Sequence, residues 1–159
     1  MKYIVGMADM KVASGRESEL VTYALGSCLG ITVFDSEANV GGLLHVMLPS
    51  SNINNAKADD NLLMFVDTGV PKLFNACYKA GAHRDRLVIK VAGGAAVNGN
   101  SDFFSIGQRN YTMLKKLFWK NGIIIKAEDV GGTISRTMTF NLDSGQVLLK
   151  NAGKEWVLE

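Results

Sequence analysis

Cysteine, proline and net charge are all scarce in this chain. It holds only two cysteines, Cys28 and Cys77, and no Cys-x-x-Cys or His-x-x-x-His spacing. Two thiols cannot make a disulfide framework, and without ligand spacing no structural zinc site organises the fold. Free thiols suit a reducing compartment, so a cytoplasmic location is expected. Lys and Arg number 17 against 15 Asp and Glu, a net charge of +2. That balance gives no broad cationic field and argues against nucleic acid as a partner. The longest apolar-looking run, Leu20 to Phe34, is broken by Thr22, Ser27, Thr32 and two glycines. It falls short of the ~20 residues a spanning helix needs, which excludes direct insertion into a membrane by that route. The first residues carry no leader layout either, because the opening apolar stretch soon meets Asp9, Lys11 and Arg16.

What is present is a globular composition. Hydrophobic residues make up 47% of 159, charged residues 20%, and glycines number 17. That length supports one core without staples, and a single domain over 1–159 is expected. Residues 3–13 alternate loosely and predict a first strand ending at Ser14-Gly15-Arg16. Leu29 to Phe34 and Val40 to Leu48 flank the polar turn Asp35–Asn39 and predict a hairpin. Ser50 to Ala58 is polar and predicts a loop. Leu62, Val66, Val70, Leu73 and Cys77 share one helical face, capped by Asp59 or Asp60 and kinked or split at Pro71. Leu87 to Val91 predicts a buried strand, and Ser105 can cap a helix running to Lys120. Ile123 to Ala127 predicts another strand, and Ile134–Leu142 with Gln146–Lys150 a second hairpin. The pattern is α+β: two packed β-sheets with helices on the outer faces.

Two residues stand out chemically. Cys28 lies in Leu25-Gly26-Ser27-Cys28-Leu29-Gly30, a small-residue turn entering a strand. Such a loop can aim peptide N–H groups at an oxyanion beside the thiol, although a small buried residue would also fit there. A hairpin folded about Glu37-Ala38 pairs positions that sum to about 75. Cys28 then faces Met47, and His45 sits on the same face within a diagonal of about 7–8 Å. An imidazole there can serve as the base of a cysteine nucleophile and draw its ionisation below the free-thiol range, or it can be a satisfied core histidine. Cys77 falls on the apolar helix face and is expected in the core. His83, in a charged loop, is expected in solvent. Gly93-Gly94-Ala95-Ala96 lacks the ending of a phosphate loop and the glycine spacing of a dinucleotide fold.

Taken together, Leu25-Gly26-Ser27-Cys28 and Gly41-Gly42-Leu43-Leu44-His45-Val46-Met47-Leu48-Pro49 resemble the signature of the chemoreceptor glutamine deamidase family, CheD. The likeness continues through Gly93-Gly94-Ala95, Ile106-Gly107-Gln108-Arg109-Asn110 and Asp129-Val130-Gly131-Gly132, from about residue 3 to residue 150. The resemblance implies a fold similar to bacterial toxin deamidases and hydrolysis of selected chemoreceptor glutamines to glutamate, with a role in chemotaxis adaptation. It implies a Cys-His-Thr constellation of Cys28, His45 and Thr22, with no metal or organic cofactor. The chemoreceptor cytoplasmic domains are the implied substrate, and a CheC-type phosphatase is an implied partner. A protein that only binds and regulates such a phosphatase is the alternative. One departure is Ser135 before Arg136, where the family pattern leads to a glycine.

Overall fold

The computed structural model describes residues 1–97 and 105–159. Among the described residues ten strands form two five-stranded sheets. The first sheet contains β1 (Lys2–Val5), β3 (Glu19–Leu25), β8 (Arg136–Asn141), β9 (Val147–Asn151) and β10 (Lys154–Val157), in the order β1-β3-β8-β9-β10. The second contains β2 (Asp9–Ser14), β4 (Leu29–Asp35), β5 (Val40–Val46), β6 (Val88–Gly93) and β7 (Ala127–Val130), in the order β2-β5-β4-β6-β7. Alternation along the strands divides the core in two. Leu20, Leu25, Met138, Phe140 and Leu149 of the first sheet meet Phe34, Leu43 and Ala92 of the second. On the second sheet's other face, Ile31, Val33, Leu44, Val46 and Val91 pack against helices α2 (Val66–Lys79) and α3 (Ile106–Lys120). The expected two-sheet α+β architecture is therefore the observed one. Among the described residues no helix is long and apolar enough to cross a membrane.

The β4–β5 hairpin folds in the expected register, with Leu29 opposite Val46, Gly30 opposite His45 and Ile31 opposite Leu44. Its turn is pinned by Asp35, fully buried, whose carboxylate accepts from the peptide N–H groups of Glu37, Ala38 and His83 and pairs with Arg86 at 2.9 Å.

Several local expectations are corrected. The run 3–13 is two strands in different sheets, separated at Gly6-Met7-Ala8, where Ala8 takes a left-handed φ of 53°. β3 and β10 have no counterpart among the expected strands. The polar segment after Ser50 carries the short helix α1 (Asn55–Asp60), so Asp59 and Asp60 end one helix rather than cap the next. The break lies at Phe65, and α2 runs through Pro71 uninterrupted. Ser105 does stand at the N-cap of α3, but with a φ of 47° and no side-chain cap bond. Ile123–Ile125 is not a strand: Ile123 and Ile125 cover the helical core, Ile124 is exposed, and β7 begins at Ala127.

Candidate active site

Thr22, Cys28 and His45 come from three adjoining pieces of chain at one end of the intersheet layer. Thr22 is the fourth residue of β3, in the first sheet. His45 is near the end of β5, in the second. Cys28 lies on the connection from β3 to β4, which crosses between the sheets. Gly30 faces His45 across the ladder, and a Cβ there would lie 2.6 Å from Met138 Sδ and 2.8 Å from Leu25 Cδ1. That face of β4 and β5 thus looks into the layer between the sheets. Cys28, two residues before Gly30, precedes the same face.

Thr22 and His45 are both 0% exposed, whereas Cys28 keeps 9% of its surface in solvent. The Thr22 hydroxyl donates to the Val5 carbonyl at 2.7 Å. Its single hydrogen is used there, so at 2.7 Å from His45 Nδ1 its oxygen can only accept. Nδ1 therefore carries the imidazole proton and Nε2 presents a lone pair. Nε2 is buried and has no hydrogen-bond partner among the described residues. Burial lowers the His45 pKa to about 4 and raises that of Cys28, against a smaller opposing effect of Cys28's own peptide N–H. The resting pair is a neutral imidazole and a neutral thiol. Burial thus works against the expected ionisation of the thiol below its ordinary range.

The cysteine loop is held by backbone contacts on either side of the nearly buried Cys28. Ala24 takes a φ of 57° where the pairing of β3 with β8 is irregular. The Gly94 N–H donates to the Cys28 carbonyl at 2.9 Å, and the Ala95 N–H to the Gly26 carbonyl at 2.8 Å. Gly93, at φ 112°, could carry no side chain, because a Cβ would stand 2.1 Å from the Cys28 oxygen. The Gly93-Gly94-Ala95 segment is a backbone clamp on the cysteine loop. Behind it, the nearly buried Arg136 donates to the Gly93 and Gly131 carbonyls at 3.3 and 3.0 Å and pairs with Asp129 at 2.8 Å. Asp129 also accepts from Trp156 Nε1 of β10 at 2.7 Å. Ser135 is not among the residues of positive φ, and its carbonyl accepts from Asn151 Nδ2 at 2.7 Å, so no glycine is required there.

The remaining candidates lie elsewhere. Cys77 is fully buried in the helical core, its pKa pushed up to about 12 by burial. The half-exposed His83 side chain accepts from the Asp85 N–H at 3.2 Å. Asn110 is no site candidate by sequence, yet it is fully buried and donates to the Ser27 and Met47 carbonyls at 2.9 and 3.1 Å. Its signal was its spacing: Asn110, Leu114 and Phe118 stand four apart on one buried helical stripe, where an amide is out of place.

The arrangement defines a two-sheet α+β domain with a nearly buried cysteine and a hydroxyl-tethered imidazole at the same end of the β4–β5 hairpin. The sequence model of the family described as "CheD chemotactic sensory transduction" matches residues 47–151. A probable chemoreceptor glutamine deamidase CheD 1 of Syntrophus aciditrophicus (strain SB) is 45% identical over 150 residues, covering 94% of each chain. A probable chemoreceptor glutamine deamidase CheD of Solibacter usitatus (strain Ellin6076) is 47% identical over 152 residues, 96% of this chain and 90% of its own. One from Caldanaerobacter subterraneus subsp. tengcongensis (strain DSM 15242 / JCM 11007 / NBRC 100824 / MB4) is 44% identical over 152 residues, 94% and 92%. The chain belongs to the CheD family.

Proposed function

We propose that the chain is a cytoplasmic protein-glutamine glutaminase of one domain, 1–159, that deamidates chemoreceptor glutamines through Cys28, His45 and Thr22. The observation that carries the reading is the Thr22–His45 bond, which puts the proton on Nδ1 and leaves a buried Nε2 lone pair without a hydrogen-bond partner among the described residues. His45 takes the Cys28 proton as the sulfur attacks the glutamine Cδ, so charge develops only as the bond forms. Peptide N–H groups of the cysteine loop stabilise the oxyanion. The imidazolium protonates the departing nitrogen, and ammonia leaves a thioester. Water, its proton taken by the same imidazole, attacks the thioester, and the Cys28 sulfur leaves and takes that proton back from the imidazolium as the glutamate product forms. Thr22 holds the ring; as a neutral group it does not balance the imidazolium charge as a carboxylate would.

The relatives' names support chemoreceptors as substrate, and family membership supports a place in chemotactic adaptation. A CheC-type phosphatase would engage surface rather than these three residues. Cys28→Ala therefore separates the two roles: it abolishes the conversion of receptor Gln to Glu and keeps partner binding. Peptide mass mapping of receptor cytoplasmic fragments tests this. Receptor that stays unmodified by wild type under conditions of binding would favour the purely regulatory role.

A further inference from the structure

The β4–β5 ladder ends just short of the site. Its last pair is Leu29 with Val46, and beyond it the Met47 N–H turns away to the Met64 carbonyl at 2.9 Å. Cys28 and Met47, opposite each other in the extended register, are therefore not tied by the sheet. What spans the gap is Asn110. Its one amide nitrogen donates to Ser27 O, immediately before the thiol, and to Met47 O, just past His45. Only the NH2 end can answer two carbonyls, so the orientation of the amide is fixed by its partners. Both hydrogens of one planar group are used, which sets the separation of the two strand ends where no ladder bond does.

Resting on the thiol–imidazole reading above, we propose that Asn110 is a positioning residue that holds the Cys28 peptide in register with His45. It touches neither reacting atom. Leu114 and Phe118, on the same stripe of α3, pack into the core and make no such bridge. A residue that only supported the helix would leave the coupling between thiol and imidazole intact when removed.

A double-mutant cycle on Cys28 alkylation by iodoacetamide at neutral pH, mapped by peptide, distinguishes these roles without any receptor. His45→Gln is measured in wild type, Asn110→Ala, Asn110→Leu and Phe118→Leu backgrounds; leucine keeps the shape of asparagine should alanine not fold. His45→Gln is expected to slow alkylation about tenfold in wild type and in Phe118→Leu, and less than about twofold in either Asn110 background. On receptor fragments the Asn110 variants should lose kcat on the order of a hundredfold with little change in KM, as displaced reacting groups do. The same tenfold effect in every background overturns the proposal. No effect of His45→Gln in wild type overturns the thiol–imidazole pairing and the proposal with it. A wild type that shows the cycle but deamidates nothing overturns the substrate reading alone.

Discussion

Removal of the Thr22 hydroxyl tests how the imidazole is held. In Thr22→Ala the Nδ1–H loses its one acceptor among the described residues, in a place where Thr22 and His45 are both fully buried. One neutral hydrogen bond contributes about 0.5–1.5 kcal/mol, and a buried group left unpaired adds a penalty of similar size. Part of that cost is avoided when the proton moves to Nε2, but that tautomer has no Nε2 lone pair to take a proton. The productive population falls and the ring loses its tether, so kcat should drop roughly ten- to thirtyfold, equivalent to about 1.4–2 kcal/mol. KM should change little, because nothing in this bond faces substrate. Thr22→Ser keeps the hydroxyl and its bond to Val5 O and should recover most of the rate; Thr22→Val, similar in shape, should resemble alanine. The assay is steady-state ammonia release from receptor fragments, with near-ultraviolet circular dichroism to confirm folding. A Thr22→Ala enzyme within twofold of wild type, or one as inactive as Cys28→Ala while folded, refutes this account of the tether.

Two further outcomes follow from the same geometry. His45 is buried neutral with its pKa lowered to about 4 from 6.5, so the unfolded chain binds more protons than the native one between those values. Its stabilising contribution is full above pH 6.5 and is lost as pH falls toward 4, on the order of 3 kcal/mol in all, and urea unfolding of His45→Gln should show a flatter slope across that window. Gly93→Ala should cost at least about 2 kcal/mol in thermal or urea unfolding and lower kcat as well, since the left-handed backbone and a Cβ 2.1 Å from the Cys28 carbonyl both force the cysteine loop to move.

The hairpin register was legible because a polar turn stood between two apolar runs, and the parity of a strand then fixes which side chains share a face. Parity alone puts Cys28 and His45 on one face. Thr22 was not legible from its surroundings. β3 flows into the cysteine loop without a proline, its irregular pairing is made by a non-glycine at Ala24, and the residue that meets His45 across the layer depends on how two sheets pack. Strand 3–13 split for a similar reason: the left-handed turn residue is Ala8 rather than glycine. Ile123–Ile125 reads as a strand by composition, yet two of its side chains cap the helical core, a tertiary role that β-branching cannot distinguish. Asn110 was legible in principle, as a polar residue on an apolar helical stripe, but its partners are carbonyls far away in sequence.

The central claim is that Cys28, with His45 as its base, converts receptor glutamine to glutamate. Peptide mass mapping of chemoreceptor cytoplasmic fragments incubated with wild type and with Cys28→Ala measures it most directly. The account predicts a gain of about 1 Da at particular glutamines with wild type, the mass difference between amide and carboxylic acid, and none with Cys28→Ala. Unchanged glutamines with both proteins, or the same conversion with both, would contradict it.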